Sequence, residues 1–399
     1  MSVAYISRML IILLILAVLT GCWSRREVND LIIAVAMGVD RVGEEYLVSV
    51  QVVDPGEITA KKASGRSPAT VYTEKGKTIF EAVRRMTTTS ARKIYFSHLR
   101  MFLIGEETAR GGIGHVIEFL SRDHEFRTDF YIAIARNMNA ENILKNYTTI
   151  EKLPANKMFS SLEMSSQSWA ATGTVKLDEL VTDLMAEGKS PVITGIGHIG
   201  DIEEGMTKKN VEVTEPPARL KYRGMAVFRS DKLIGWLNED ESKGYNYFRG
   251  KVKSTVGVLP CPHEDGNLSF EQIRMNSRIR VDRHNYPPKV SIDINVVSNI
   301  GESQCKIDLT NPNVIQKLEN RAGKKVKLGV EGTLKKARSL QTDFVGLGAA
   351  IHRSAPEAWA QLKRHWPERM DSVPINIQVH MKLKHSSKTR GTFLEKMKE

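Results

Sequence analysis

Three cysteines and a few short groups of titratable side chains are the residues of this sequence that could carry chemistry. Cys22 follows Leu19, Thr20 and Gly21 at the end of the apolar run 10–19. A branched apolar residue, two small residues and a cysteine form a bacterial lipobox, whose thiol accepts a diacylglyceryl group. The run is shorter than the roughly 20 residues that a helix needs to cross a bilayer, and it fits the apolar core of a signal peptide. We therefore predict a lipoprotein signal peptide at residues 1–21 and diacylglyceryl and N-acyl lipid on Cys22; the alternative is a buried cysteine at the end of an anchor helix.

Cys261 and Cys305 are the two cysteines that remain. Cys261 and His263 offer two potential metal ligands, but no second pair follows at the spacing of a zinc site, so we interpret this segment as a loop. Export across a membrane permits a disulfide between Cys261 and Cys305. Neither cysteine has a local signal for pairing, and a bridge also requires Cα atoms within about 7 Å of each other. The sequence leaves the bridge open and favours two unpaired thiols.

The groups of titratable residues give little support for catalysis. Residues 122–127 (RDHEFR) pack five titratable side chains into six positions. Such a cluster could do acid–base work, but no nucleophile or metal ligand stands beside it, so we interpret it as a salt-bridge network. Residues 187–190 resemble the end of a phosphate-binding loop, but Asp183 stands where the first glycine is required. We predict no catalytic residue, no metal site and no cofactor, and hence a protein that is not an enzyme.

The composition describes a multidomain globular protein with a basic C-terminal end. The 399 residues are 41% hydrophobic with net charge +12, and the mean hydropathy is −0.28. These values exclude a disordered chain and a polytopic membrane protein, and the length fits two or three domains. Most of the positive excess lies in residues 310–399. Because an exported chain meets no genome and no nucleic-acid-binding motif is present, we predict no nucleic-acid partner and expect anionic lipid head groups or wall polymers instead.

The elements that must position these residues alternate between strand-like and helix-like segments. Helices are predicted to begin at Thr78, with Glu81 completing a capping box, and at Asn238, and to cover residues 106–123 and 177–187; three glycines, at positions 111, 112 and 114, weaken the helix over 106–123. The predicted strands cover residues 31–39, 46–53, 99–104, 130–135, 191–196, 224–229, 232–237, 254–259, 272–281, 290–297 and 373–383, with 224–229 and 232–237 forming a hairpin. This alternation predicts an α/β (α+β) fold of mixed β-sheets packed with α-helices.

A domain boundary is predicted at residues 201–221, where mixed charge and Pro216-Pro217 interrupt the periodicity. This linker would separate an N-terminal region of residues 22–200, with room for two domains, from a C-terminal domain of residues 222–388.

The C-terminal domain contains a long helix with an apolar side and a basic side. The helix begins near Pro312, and Lys324, Lys327, Lys335 and Arg338 lie opposite its apolar stripe. A basic amphipathic helix can lie on a membrane. We favour a helix whose apolar stripe packs on a sheet, because strands flank it and need cover. Its basic side would then still face anionic head groups.

Short motifs spread over the chain resemble one known family. In chain order they are residues 21–30 (GCWSRREVND), 38–40 (GVD), 96–99 (FSHL), 104–107 (IGEE), 123–130 (DHEFRTDF), 187–191 (EGKSP), 235–239 (GWLNE), 249–251 (RGK) and 344–353 (FVGLGAAIHR). Their spaced combination, from Gly21 to about Leu383, resembles the Ger(x)C lipoproteins, the C subunits of GerA-type spore germinant receptors. Ser24, where the family often has Asp, is a small departure, and the tail after His385 matches nothing.

The resemblance implies an α/β lipoprotein of three domains on the outer face of the inner spore membrane, with Cys22 as its lipidated residue. It implies two integral membrane partner subunits, one of which would hold the small-molecule germinant. Residues 22–200 and 222–388 would be its N-terminal and C-terminal Ger(x)C regions. We therefore expect a membrane-anchored receptor subunit that is needed for spore germination through assembly or signalling. The alternatives are a solute-binding lipoprotein of a transporter and a surface hydrolase, for which the sequence supplies no acid–base pair.

Overall fold

The computed structural model describes residues 31–53, 67–262 and 264–384, and also positions 5, 7 and 9. Cys22, His263 and, apart from those three positions, the predicted signal peptide lie outside the described residues. Within the described part, the chain forms two β-sheets packed with helices. The predicted α/β (α+β) multidomain fold is therefore confirmed.

Nine strands form the first sheet. They are β1 (Leu31–Val42), β2 (Glu45–Val53), β3 (Ala69–Gly76), β4 (Lys93–Tyr95), β5 (Met101–Gly105), β6 (Tyr131–Ala135), β7 (Val192–Gly200), β8 (Ala218–Arg229) and β9 (Lys232–Leu237). Their order is β3-β2-β1-β5-β6-β7-β8-β9, with β4 paired to β1. The run β1-β5-β6-β7 is parallel, and the flanking pairs are antiparallel. β5 and β6 are buried at every position, as expected for parallel strands covered on both faces.

The described residues form twelve α-helices. They are α1 (Ile79–Arg85), α2 (Glu106–Gly111), α3 (Gly114–Arg122), α4 (Ala140–Leu144), α5 (Pro154–Ser168), α6 (Leu177–Met185), α7 (Ile202–Gly205), α8 (Lys209–Glu212), α9 (Glu239–Arg249), α10 (Pro312–Ser339), α11 (Leu347–Ser354) and α12 (Pro356–Leu362). The first sheet has a hydrophobic cluster on each face. Ile79 of α1, Val116 of α3 and Leu180 of α6 belong to one cluster, and Ile143 of α4 and Met158 of α5 belong to the other.

Four strands form the second sheet. They are β10 (Thr255–Pro260), β11 (Asn267–Asp282), β12 (Lys289–Ser303) and β13 (Ile375–Lys384), in that order across the sheet. β12 and β13 are parallel, and α10 lies on the crossover that joins them. Leu318, Val326 and Val330 of α10 share one hydrophobic cluster with Ile292 and Ile294 of β12. The prediction that the apolar stripe of this helix packs on a sheet is therefore confirmed.

The prediction of a single helix over residues 106–123 is wrong. The segment forms two helices, α2 and α3, which are separated at Gly112. Gly112 has φ +124°, which no helix contains. The turn between β8 and β9 reaches this break: the N–H of Ile113 donates to the Asp231 carbonyl at 2.9 Å, and the N–H of Gly114 donates to the Asp231 carboxylate at 3.1 Å. Because the helix is interrupted here, the Asp231 carboxylate can accept the N–H of Gly114, the first residue of α3.

The segment predicted as a linker, residues 201–221, is folded. It contains α7, α8 and the first residues of β8. β8 pairs with β7 along most of its length, with Gly200 opposite Ala218 and Val192 opposite Val227. The first sheet therefore continues past this segment, and the predicted division into an N-terminal region, a linker and a C-terminal domain stays a prediction.

Candidate functional site

The predicted lipid attachment site, Cys22, lies outside the described residues and stays a prediction. The description of the N-terminal part of the fold begins at Leu31, the first residue of β1. β1 is central, since it pairs with β2, β4 and β5. A lipid on Cys22 would therefore be joined through residues 23–30 to the middle of the first sheet.

The titratable cluster at residues 122–127 forms ion pairs at a corner between α3 and β6. Glu125 bonds Lys93, and its carbonyl accepts a hydrogen bond from the Ser97 hydroxyl at 3.1 Å. The His124 side chain is 93% exposed. The Asp123 carboxylate accepts the N–H of Glu125 at 2.9 Å. The interpretation as a salt-bridge network fits this geometry better than acid–base catalysis does.

Residues 187–190 pack against the segment that contains α11 and α12. They are followed by the strand β7, whereas a phosphate-binding loop is followed by a helix. Gly188 has φ +73°, and a Cβ built on it would come within 2.6 Å of the Gly348 backbone and of the Trp359 ring. The Glu187 carboxylate accepts a hydrogen bond from Trp359 Nε1 at 2.9 Å, and that bond lowers the pKa of Glu187, with help from the charge of Lys363.

Asp343 is a buried carboxylate that joins two of the motifs noted in the sequence. It accepts the N–H groups of Gly346, Leu347 and Gly348 at 2.7, 3.1 and 2.6 Å, and so begins α11. It also accepts Trp366 Nε1 at 2.9 Å. Burial raises the pKa of Asp343, against the opposing effect of these hydrogen bonds.

A hydrogen bond from the N–H of Ser190 to the Asp343 carbonyl, at 2.9 Å, ties the segment before β7 to the same place. The Thr342 hydroxyl donates to Ser190 Oγ at 2.8 Å. The motifs at residues 187–191 and 344–353 are therefore in direct contact, although they are far apart along the chain.

Asp40 is a second buried carboxylate that accepts backbone N–H groups at the start of a helix, in this case α4. Its carboxylate accepts the N–H groups of Ala140 and Glu141 at 2.8 and 3.0 Å. The residue is 2% exposed, and burial raises its pKa to about 6 while the two hydrogen bonds act in the opposite direction. Gly105 lies against it, since a Cβ at that position would come within 2.1 Å of the Asp40 carboxylate.

Glu106 is a third carboxylate held by long-range donors. It accepts the N–H of Asn137 at 2.7 Å, Trp236 Nε1 at 3.1 Å and the Arg110 guanidinium at 2.5 Å. Burial favours a raised pKa for Glu106, but these hydrogen bonds outweigh it and the net shift is downward. Arg136 lies over the Trp236 ring at 4.5 Å. The motifs at residues 104–107 and 235–239 thus meet at this carboxylate.

The chemistry of these three carboxylates is structural. Backbone N–H groups, two tryptophan indoles and the Arg110 guanidinium donate to the oxygens of Asp40, Glu106 and Asp343, and no serine, cysteine or histidine is among their hydrogen-bond partners in the described chain. The described residues also contain no group of three or more His, Cys, Asp or Glu side chains that could hold a metal ion. Sequence reasoning had found the motifs but not these contacts, which join residues distant along the chain.

Cys261 and Cys305 form a disulfide, with Cα atoms 5.6 Å apart. The preference for two unpaired thiols was therefore wrong. The antiparallel register of the second sheet brings the two cysteines together, since Pro260 pairs with Asn267 and Leu268 pairs with Ser303. Each cysteine comes directly after, or close to, the end of one of these paired strands.

The basic side of α10 is partly neutralised. The Lys325 ammonium donates to the Val258 carbonyl of β10 at 2.6 Å. Lys327 pairs with Glu331 at 3.8 Å on the same helix, and Arg338 pairs with Asp371 at 2.8 Å. Lys324 and Lys335 are exposed. This helix therefore presents fewer uncompensated cations than its sequence indicates.

A cavity of about 610 Å³ lies between α9, α10 and β10. Trp169, Val258, Phe270 and Leu328 supply apolar wall, and Lys243 lies 3.6 Å from the centroid of the Trp169 ring. β10, which lines this cavity, is an edge strand of the second sheet, with β11 as its neighbour. Among the described helices, none is both long and apolar enough to cross a membrane.

Comparison with known proteins gives matches along nearly the whole chain. The family described as "Spore germination protein N-terminal domain" matches residues 24–197, and the family described as "Spore germination B3/ GerAC like, C-terminal" matches residues 223–387. Spore germination protein KC of Bacillus subtilis (strain 168) is 30% identical over 376 residues, which cover 92% of each chain. Spore germination protein B3 of the same organism is 25% identical over 390 residues, which cover 94% of this chain and 97% of that protein. The crystal structure of the GerBC protein has a similar fold, with a TM-score of 0.52 at 19% identity over 87% of this chain and 96% of that one.

Proposed function

Because this chain belongs to the Ger(x)C family of spore germination proteins, we propose that it is the lipid-anchored subunit of a nutrient germinant receptor. The observation that carries this proposal is the match of both family regions in order on one chain, residues 24–197 and 223–387. The N-terminal match begins at residue 24, two positions after Cys22, which ends the lipobox.

In this proposal, Cys22 holds the protein on the outer face of the inner spore membrane. Signal peptidase removes residues 1–21, and the new N-terminal cysteine carries diacylglyceryl and N-acyl chains. Each buried methylene contributes about 0.8 kcal/mol, so two or more acyl chains anchor a protein firmly where one chain binds reversibly.

The proposed role is to dock on two integral membrane subunits and to help assemble them or transmit their ligand-bound state. The small-molecule germinant is bound by a partner subunit in this scheme, and the present chain catalyses no reaction. The hydrogen-bonded carboxylates support this view, because structural donors within the fold bond Asp40, Glu106 and Asp343, so these three groups are not available to act on a substrate.

Deletion of the gene tests the proposal in a strain that lacks other germinant receptors. We expect spores of the deletion strain to lose nutrient-triggered release of dipicolinic acid and the accompanying fall in optical density. Wild-type protein restores both. Cys22→Ala is expected to lose incorporation of a fatty-acid analogue and to leave the membrane fraction of the spore.

A trigger that acts after nutrient recognition serves as the control, and it should germinate deletion and wild-type spores at the same rate. A normal nutrient response without the gene would contradict the receptor role. Equal fatty-acid labelling of wild type and Cys22→Ala would contradict the anchor alone. Co-purification with two integral membrane proteins from detergent-solubilised spore membranes is the expected result for partner binding.

A further inference from the structure

The second sheet has one covered face and one face open to solvent. Along β12, Ile292, Ile294 and Val296 are buried in the cluster that contains the apolar stripe of α10, while Ser291, Asp293 and Asn295 alternate with them and point the other way. We call the second face the open face and define it by the outward positions of β11 (residues 274–280), β12 (residues 291–297) and β13 (residues 376–384).

Cations outnumber carboxylates on the open face. Its charged members and those at its margin are Arg274, Arg278, Arg280, Lys289, Lys382 and Lys384 against Glu271, Asp282 and Asp293. The remaining outward positions are mostly Asn, Gln, Ser and His. The open face therefore carries a net positive charge, and its other side chains are mostly neutral hydrogen-bonding groups.

The strand register places the uncompensated cations on neighbouring strands. Arg274 lies opposite Val297, which lies opposite Lys382, so these two cations flank one position of the central strand. Asp293 lies opposite Arg278 in the register, but its carboxylate pairs with Arg280 at 3.4 Å. Within the described part of the chain, Arg274, Arg278 and Lys382 have no carboxylate at ion-pair distance, and all three side chains are exposed.

We propose that the open face binds the anionic head groups of a lipid bilayer. A protein partner usually meets a patch with aromatic or apolar side chains at its centre. The open face has no aromatic side chain, and the apolar residue among its outward positions, Val297, is half-buried. The exposed apolar residues on this side of the sheet, Val256, Val258 and Ile273, lie outside the open face, on β10 and at the strand irregularity of β11. The cations of the open face are distributed over three strands and surround no exposed apolar centre. Such an arrangement suits the phosphate groups of a lipid bilayer, whose negative surface potential attracts basic residues without a shaped binding pocket.

The hairpin between β11 and β12 extends this surface at one end. It carries Arg283 and Tyr286, and the Tyr286 side chain is 57% exposed. Tyrosine favours the head-group region of membranes, where its ring and hydroxyl meet different environments. The end of the face therefore has the one aromatic side chain suited to that depth.

This inference rests on the proposed membrane location and deepens it, because the lipid on Cys22 would hold the chain near the surface and the open face would orient it. The test uses the mature chain, residues 22–399, with Cys22→Ser, so that no acyl chain contributes. We would measure co-sedimentation with vesicles of phosphatidylcholine that contain about one-third phosphatidylglycerol, and with vesicles of phosphatidylcholine alone.

The key variant is the triple substitution Arg274→Gln, Arg278→Gln and Lys382→Gln. Each cation near an anionic surface contributes about a fivefold factor to binding, so we expect the triple variant to bind the anionic vesicles roughly a hundredfold more weakly. Added salt should weaken wild-type binding in the same direction. All three side chains are exposed, so circular dichroism and thermal unfolding should match those of the parent chain.

The matched control removes three cations from α10 instead, by Lys317→Gln, Lys324→Gln and Lys335→Gln. These residues are also exposed, and the change in net charge is identical. Strong loss in the sheet variant with a loss below about threefold in the helix variant would support the proposal. Equal losses in both variants would overturn it, because net charge would then explain binding. Failure of the parent chain to prefer anionic vesicles would also overturn it, and would leave acylation of Cys22 untouched.

Discussion

Asp40 is a buried residue whose charge costs stability at neutral pH. Its pKa is raised to about 6 by burial, whereas an aspartate in an unfolded chain titrates near 3.9. The folded state therefore binds the proton more tightly between these two values, and the contribution of this group to stability is fully present below about pH 4 and lost as the pH rises through about 6. Two pKa units correspond to about 3 kcal/mol.

Substitution of Asp40 by Asn should remove this pH dependence. We expect the difference in unfolding free energy, wild type minus Asp40→Asn, to fall by up to about 3 kcal/mol between pH 4 and pH 7. Denaturant unfolding of the unlipidated chain across this range measures it. Asp201→Asn is the matched control, since Asp201 also accepts two N–H groups at a helix start, at 2.9 and 3.0 Å, but is exposed. A flat difference for Asp40→Asn would contradict the assignment.

Substitution of Gly188 by a larger residue should be unfavourable for two separate reasons. Its φ of +73° disfavours any side chain, and a Cβ would collide with the Gly348 backbone and the Trp359 ring. We expect Gly188→Ala to lower the free energy of unfolding by about 2 kcal/mol or more. Gly43→Ala separates the two causes, because Gly43 has φ +63° with nothing within 4 Å of its Cβ. Chemical denaturation should show a smaller loss for Gly43→Ala; equal losses would mean that the collision is relieved at no cost.

At the scale of elements, two glycines on neighbouring helices have opposite expected effects. A Cβ on Gly332 of α10 meets nothing within 4 Å, whereas one on Gly244 of α9 would come within 2.1 Å of Thr333 Oγ1 and 2.5 Å of the Gly329 carbonyl oxygen. Gly332→Ala should therefore raise the free energy of unfolding by about 0.5–1 kcal/mol through helix propensity. Gly244→Ala should lower it by about 1–3 kcal/mol, because α9 and α10 must separate. Thermal unfolding of both variants gives the comparison, and destabilisation by Gly332→Ala would show that its face is occupied.

Elements with local sequence signals could be predicted, and those set by distant partners could not. The capping box at Asn238 begins α9 with its side chain bonded to the N–H of Glu241, and Thr78 likewise begins α1. The glycines at positions 111, 112 and 114 indicate a weak point in the helix predicted over residues 106–123, but the break itself was not predicted, because Asp231, which bonds to it, lies on a hairpin far along the chain. A single window of sequence contains no trace of that partner.

The same limit applies to the candidate site. The resemblance located the motifs at residues 38–40, 187–191 and 344–353, yet their physical role depends on hydrogen bonds such as those from Ala140 to Asp40 and from Ser190 to Asp343. The disulfide was missed for a related reason. Its two cysteines meet through the register of three strands, which a cysteine count cannot supply.

At the scale of the whole molecule, the charge and the connections of the two sheets matter more than any single site. Part of the positive excess of residues 310–399 lies on α10, where partners neutralise some of it, and part lies on β13. Lys382 of β13 is exposed on the open face together with Arg274 and Arg278 of β11, which lie outside that C-terminal segment. The two sheets are also joined through the chain's interior, because Met225 and Val227 of the first sheet belong to the hydrophobic cluster of the second. Because the two sheets share this core, we expect them to keep a constant orientation, with the open face as the exposed basic surface of the molecule.

This continuity predicts how the protein responds to a cut at the predicted linker. A protease site inserted between Glu215 and Pro216 lies after α8 and before β8, so cleavage leaves β7 on one fragment and β8 on the other. The β7–β8 ladder and the bond from Ser190 to Asp343 then cross the cut. We expect the two fragments to elute together in gel filtration under native conditions and to separate in denaturant. Separate elution without denaturant would mean that residues 201–221 connect two independent domains, as the composition of that segment alone indicates, and that the sheet does not hold them together.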